Sequence, residues 1–449
     1  MSLYKEGLNE KNPKWLQDDY VKFLRFAQWK MEQVEEGIVA VITNHSFLDN
    51  PTFRVMRQSL MQTFDQLWFL DLHGNLKKKE KTPDGGKDDN VFDIEQGVAI
   101  SFLIKKSGLE RKILHADFWG PRKTKYELCL KQTLQKIEWQ ELQPQSPFYL
   151  FVPLNTALLK KYDKGWKVTD IFSESSVGIV TARDKLTIQQ TKEKMLSVVH
   201  DFSKLSIEFA REKYKLGPDA RDWKVELAQK DLQDSGLEED NIVEICYRPF
   251  DKQFTYFTGK SRGFHCMPRG KIMSHLLKPN LALAVGRQGQ VTGEAEWNLV
   301  TVGDGIADFN LFYRGGIQYF PLYLYDTPGG EGGLFEHSGA EPERRENFSA
   351  AFRAFLDERY GEHLSPETVL GYIYGVLHTP TYRKRFAEFL RIDFPRIPFP
   401  ETGSSGGVPE TFLSISALGN ELIEAHLLRK TPHNISGAQY QGVAETPES

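Results

Sequence analysis

Between Arg248 and Arg287 the chain carries Lys252, Lys260, Arg262, Arg269, Lys271 and Lys278, and after Asp251 this stretch has almost no acidic residue. Phe254, Tyr256, Phe257, Phe264 and His265 are interleaved with these cations. The mixture suits a nucleic-acid face: Lys and Arg neutralise phosphates, and Arg or Gln make paired hydrogen bonds to base edges in the major groove. Gly259, Gly263 and Gly270 would allow a close backbone approach. The same composition also describes a solvated surface over a packed core. Arg183 with Lys185, and Arg287 with Gln288 in an Arg-Gln-Gly-Gln string, are weaker candidates of the same kind.

Other chemistry finds less support. Asn44 and His45 follow a strand-like run, where open α/β sheets place ligand groups, although a helix cap or turn is the competing role. Asp304 in Gly303-Asp304-Gly305, and Asp308, invite a nuclease or metal-assisted hydrolase reading, but an Asp in a Gly-bounded turn is ordinary turn chemistry. The chain has no G-x-S-x-G, H-E-x-x-H or Walker loop. Cys129, Cys246 and Cys266 are odd in number, far apart and without a CxxC pair, so neither a disulfide framework nor a zinc knuckle is expected. No metal site is expected.

The elements that must position these residues follow from periodicity. Residues 16–36 place apolar side chains at a spacing near 3.6, an amphipathic helix. Gly37–Thr43, Leu67–Leu72 and Val98–Ile104 are short apolar runs, as expected of strands buried on both faces of a parallel sheet, and Phe53–Phe64 between the first two is helical. The alternation predicts part of a doubly wound, Rossmann-like α/β sheet. A polar loop, residues 74–90, precedes the last strand. From Ile113 the pattern becomes mixed α+β, with strands expected over Phe148–Val152 and Leu281–Val285 and helix over Gln190–Tyr214. A Gly- and Pro-rich segment, 326–347, reads as a linker, and helical period returns from Phe348.

At 449 residues the chain is long enough for two or three domains, and its 40% hydrophobic and 26% charged residues fit a globular protein with a large core. The formal charge of −4 argues against indiscriminate coating of nucleic acid, but leaves room for a local basic groove. No run of about 18 apolar residues and no apolar signal core are present, so a cytoplasmic protein without membrane partners is expected.

Several strings resemble one family in the same order along nearly the whole chain. They are Asn12–Tyr20 (NPKWLQDDY), Ile42–Arg54 (ITNHSFLDNPTFR), Leu70–Asn75 (LDLHGN) and Asn90–Gly97 (NVFDIEQG), followed by Gly178–Asp184, Tyr247–Asp251, Phe257–Gly263 and Ile392–Pro400. The chain thereby resembles the type ISP and related type IIG restriction–modification enzymes, whose methyltransferase modifies the amino group of adenine. The resemblance implies double-stranded DNA as partner and S-adenosylmethionine as cofactor of the complete enzyme. It also places Phe92 where a base-stacking aromatic would hold an extruded adenine. The alternative for Phe92 is a loop anchor tucked into the core.

The departures carry equal weight. The Gly-rich turn for S-adenosylmethionine and the Asn-Pro-Pro-Tyr-type motif are not found, and Asn12-Pro13-Lys14-Trp15 lacks the second Pro and the ring directly after it. The expectation is therefore a chain beginning just after the catalytic motif, with no catalytic residue and no bound cofactor of its own. Residues 1–118 would complete the methyltransferase sheet and 119–325 would form a target-recognition domain. A linker (326–347), a helical part (348–430) and a tail (431–449) would follow. The missing half would come from an N-terminal segment. The alternative is a stand-alone specificity subunit that pairs with a separate modification subunit.

Overall fold

A computed structural model describes the chain except for residues 9–12, 221, 287–295, 313–315, 327–343, 403–405 and 431–449. The expected tail, most of the expected linker, and Arg287 and Gln288 therefore lie outside the described residues. Two compact units emerge. The first comprises Met1–Thr169, Gly286–Leu299 and Thr379–Pro398, and the second comprises Asp170–Val285, Val300–His378 and Phe399–Ser449.

The first unit is built on a five-stranded sheet of β1 (Gly37–Asn44), β2 (Gln66–Asp71), β3 (Val98–Lys105), β4 (Lys112–Asp117) and β5 (Gln140–Glu141), in the order β1-β3-β2-β4-β5. The strands predicted over Gly37–Thr43, Leu67–Leu72 and Val98–Ile104 form within a residue or two of their expected spans, but the sheet is not parallel. β3 runs antiparallel to both β1 and β2, β2 and β4 are the parallel pair, and β5 is antiparallel again. β1 and β2 still point the same way, joined through α2 (Arg54–Thr63), with β3 inserted between them. Nor is β1 buried on both faces, since Ile38, Ala40 and Ile42 alternate outward from half-buried neighbours. Every residue from Ile38 to Ile42 is apolar, so this period of two leaves no trace in the sequence.

One core packs α1 (Asp19–Glu32) and α2 under the sheet through Leu24, Met31, Met56, Leu60, Phe69 and Leu103. Gln28 in α1 adds a buried polar tie: its Oε1 accepts from the Tyr4 hydroxyl, and its amide donates to Ser59 and Thr63. The apolar run Phe148–Val152 is not a strand. Phe151 is instead buried and stacks on Phe69 with 4.6 Å between centroids, while the Phe148 carbonyl accepts from the buried Arg57 guanidinium at 2.6 and 2.9 Å. Because β5 belongs to the same sheet, this unit extends beyond residue 118, and Trp166–Lys167 pairs with Arg396–Ile397 within it.

The second unit is mixed α+β. Four strands lie in the order Val300–Gly303, Ala282–Gly286, Ile317–Pro321 and Ser176–Val177, and a second sheet orders Ile306–Ala307, Ile242–Arg248 and Asp251–Tyr256. The helical span expected over Gln190–Tyr214 is two helices, Lys192–Phe202 and Ile207–Lys213, because Ser206 caps the second by accepting from Phe209 N. Pro366–His378 packs against Glu410–His426, where a Cβ on Gly419 would lie 1.8 Å from the Gly371 carbonyl oxygen. Arg344–Glu346, inside the expected linker, is a strand paired with Tyr323–Tyr325, and the buried Asn347 bonds Ser173, Glu174 and Pro321. Among the described residues no helix is long and apolar enough to cross a membrane.

Candidate functional site

The C-terminal ends of β1, β2 and β4 lie on one side of the first sheet and bring together a centre of three histidines and three carboxylates. His45 Nδ1 meets both oxygens of Asp71 at 2.9 and 3.1 Å, and His45 Nε2 lies 3.2 Å from the Asn75 amide nitrogen. His73 follows β2 with a left-handed backbone, φ 51°, and its amide donates to Asp71 Oδ1 at 2.8 Å. Asp117 Oδ1 receives His73 Nε2 at 2.7 Å and His115 Nε2 at 3.0 Å. Trp119 stacks on the His73 ring with centroids 3.3 Å apart. A Cβ on Gly97 would lie 2.5 Å from the His45 ring, so only glycine fits there.

Burial opposes charge throughout this centre, and opposite charges override it. Burial would lower His73, but Asp71, Asp117 and Glu80 raise it to about 10. Burial likewise opposes protonation of His45, which Asp71 raises above the usual imidazole range. Asp71 is held well below the carboxylate range by His45 and His73, against its burial. Asp117 is held at about 2 by His115 and His73, again against burial.

Of the residues expected at this end, His45 is in the centre, while Asn44 caps the following turn, its Oδ1 accepting from Ser46 N at 2.9 Å. Asp71, His73, His115 and Asp117 were not anticipated. They sit as two close pairs at the ends of β2 and β4, tens of residues from each other, and the available signal was that LDLHGN ends a strand.

Next to this centre, the loop from Gly74 to Gly97 is ordered by buried polar groups. Asp88 accepts from Gly74 N at 2.6 Å and Gly120 N at 2.8 Å, and pairs with Lys125 at 2.7 Å. Asn90 accepts from Phe92 N and donates to Gly74 O and Gln96 O, while Arg122 donates to the Asn90 and Phe92 carbonyls. This frame leaves the Phe92 ring 43% exposed, so it is not a core anchor.

In the second unit the basic stretch separates into two parts. Its aromatic side chains belong to the core: Tyr256, Phe257, Phe264 and His265 are buried. The close approach at Gly263 is to Asp231, whose carboxylate would lie 2.1 Å from an added Cβ and which accepts from Phe264 N and Thr258 Oγ1. Gly259 and Gly270 likewise approach each other. These glycines serve the protein's own loop, which corrects the expectation that they open the backbone to a ligand.

The cations face outward but meet acids that are remote in sequence. Lys260 pairs with Asp234 at 3.1 Å, Lys271 with Glu174 at 3.2 Å, and Arg262 lies 3.8 Å from Asp222. Lys252 pairs with Asp304 at 2.7 Å, and Arg248 with Asp308 at 2.8 Å while covering the Tyr247 ring. Arg183 covers Trp223 and donates to Ala182 O and Pro218 O; Lys185 is exposed and Arg269 half-buried. Asp304 also receives Arg429 at 2.9 Å, which makes it an ion-pair hub.

A family model described as the Type ISP C-terminal specificity domain matches residues 170–448. The chain belongs to that family. Among solved structures it is similar to a DrdV–DNA complex (25% identity, TM-score 0.66, 95% of this chain and 41% of that one). It is also similar to the ATP-dependent Type ISP restriction–modification enzyme LlaBIII bound to DNA (22%, 0.69, 97% and 28%). A third similar structure is a nuclease-deletion mutant of the Type ISP enzyme LlaGI in complex with a DNA substrate mimic (19%, 0.64, 95% and 38%). The chain thus spans 28 to 41% of the length of these proteins. No curated protein matches it.

Proposed function

We propose that this chain recognises a specific double-stranded DNA sequence as part of an adenine-modifying restriction–modification enzyme. The observation that carries the reading is the specificity-domain match over residues 170–448. The cations of the same unit, Arg183, Lys185, Arg248, Lys252, Lys260, Arg262, Arg269 and Lys271, are the proposed contacts, some to phosphates and the Arg side chains to base edges. The acids beside Lys260, Lys271 and Arg262 are solvent-accessible, and exposed pairs contribute only about 0–1 kcal/mol, whereas Asp308 beside Arg248 is buried. Phosphates of a duplex can therefore take over Lys260, Lys271 and Arg262.

In this reading the first unit belongs to the methyltransferase, and Phe92 stacks on the extruded adenine. S-adenosylmethionine and the methyl-transfer motif are held by a preceding half or a partner subunit, and this chain alone transfers no methyl group. The geometry that supports such a half is the outer edge of β1, which pairs with no strand among the described residues and carries exposed Ile38 and Ile42. Continuing the sheet there would cover an edge that is otherwise prone to self-association. The length of the similar solved proteins leaves room for it.

The test is selection of a random duplex pool by the chain, followed by titration of the enriched site. One short sequence should emerge and bind about 10³-fold or more tighter than unrelated duplex. A pool that stays random would sink the recognition reading. Calorimetry with S-adenosylmethionine should give no saturable binding to the chain alone, and saturable binding would overturn the proposed division of labour.

A further inference from the structure

We propose that His45, His73 and Glu80 form a binding site for one divalent transition-metal ion of the zinc class. Their ligand atoms lie within 4.8 Å of one another. Each imidazole is already held by a carboxylate through one of its nitrogens: Asp71 takes His45 Nδ1, and Asp117 takes His73 Nε2. This carboxylate–histidine arrangement fixes the ring and turns the remaining nitrogen toward a metal.

That remaining nitrogen is the independent sign of a ligand. His73 is only 8% exposed, its Nδ1 is buried, and it makes no hydrogen bond. It faces Asp71 Oδ2 at 3.7 Å and Glu80 Oε1 at 4.0 Å, too far for hydrogen bonds but close to the spacing of two ligands around one ion. With zinc bonds of about 2.0–2.2 Å to nitrogen and oxygen, neighbouring tetrahedral ligands stand roughly 3.3–3.6 Å apart, so a small rotation of Glu80 would bring its Oε1 to ligand spacing from His73 Nδ1. Glu80 is itself aimed, because its Oε2 accepts from Asn75 N at 2.8 Å and leaves Oε1 free to turn inward. An ion here would replace the Asn75 amide as the partner of His45 Nε2.

Asp71 and Asp117 lie close enough to His73 to be considered as ligands themselves. Both already hold imidazoles, so they fit better as the orienting groups. Two imidazoles and one carboxylate suit zinc, cobalt or iron better than calcium or magnesium, which prefer all-oxygen sets. The Trp119 ring stacked on His73 shields the site from one side.

The experiment uses the untagged full chain, stripped with chelator, loaded with Zn²⁺ or Co²⁺ and dialysed. One ion per chain should be retained, and Co²⁺ should show visible absorption of nitrogen-ligated metal. Glu80→Gln and His73→Asn should both abolish retention, Asn being chosen because it tolerates the left-handed backbone at 73. Asp117→Asn, a positioning change, should weaken binding about 10- to 100-fold without abolishing it. Circular dichroism checks folding, and should His73→Asn not fold, the half-buried Glu80→Gln decides alone. Less than stoichiometric retention by the parent, or unchanged retention by Glu80→Gln, overturns the site.

Discussion

Lys125 Nζ and Asp88 Oδ1 form a 2.7 Å ion pair in which neither side chain has any solvent exposure. The pair is fully ligated, since Lys125 also donates to the Leu72 and Asp89 carbonyls and Asp88 accepts two backbone amides. It joins α3 (Arg122–Lys131) to the start and the middle of the loop that carries Phe92. Replacing one partner leaves the other charge buried and uncompensated, which costs about 3–5 kcal/mol. Lys125→Met should therefore lower the denaturation midpoint sharply. A shift equivalent to under about 1 kcal/mol would mean that water reaches the pair.

Phe92 should behave in the opposite way. Its ring is largely outside the core and its backbone is held by Asn90 and Arg122, so Phe92→Ala should change stability by no more than about 0.5 kcal/mol. If the first unit belongs to a methyltransferase as proposed, the same change in the complete enzyme should slow methyl transfer, since stacking on an unstacked base contributes about 1–3 kcal/mol. Duplex affinity should be largely kept. Unchanged turnover would remove Phe92 from the reaction.

His265 sets an acid limit on the second unit. Burial pushes its pKa down to about 4, and Thr255 Oγ1, whose own hydrogen goes to Thr187 O, accepts from His265 Nε2. Below an unfolded pKa near 6.5 the unfolded chain binds the proton and the folded chain does not. The stability tied to neutral His265 is thus complete above about pH 6.5 and is lost as the pH falls toward 4. Denaturant titrations should register a loss of about 2 kcal/mol between pH 7 and pH 5, less in His265→Gln. Equal pH slopes for parent and variant would place the acid sensitivity elsewhere.

The sequence made strand positions legible because Gly37–Thr43, Leu67–Leu72 and Val98–Ile104 are apolar runs bounded by polar loops. It did not reveal direction, because antiparallel insertion of β3 between β1 and β2 is decided by long-range pairing that composition does not encode. His45 was found from its strand end, whereas its partner Asp71 and the neighbouring His73 and Asp117 emerge only when three strand ends converge. The basic stretch shows the same limit. Lys260, Arg262 and Lys271 are exposed, but the absence of nearby acids in sequence concealed Asp222, Asp234 and Glu174, which the fold brings alongside.

Those acids make the DNA reading more testable. If Lys260, Arg262, Arg269 and Lys271 meet phosphates, duplex affinity should fall steeply with salt, each neutralised phosphate contributing about −0.9 to the log–log slope. Removing one phosphate-facing Lys should reduce that slope by about one for every sequence alike, whereas loss of a base-reading Arg should cost about 1–3 kcal/mol on the cognate site only. The acid partners add a test of opposite sign. Asp234→Asn releases Lys260 from a pair worth about 0.2–1 kcal/mol and removes a negative charge near the duplex, so affinity should rise, roughly up to fivefold, most at low salt. Glu174→Gln should act likewise through Lys271. If the Ala variants match the parent and the acid-to-amide variants gain nothing, the groove is not formed by this stretch, and Arg183 and Arg248 become the next side chains to replace.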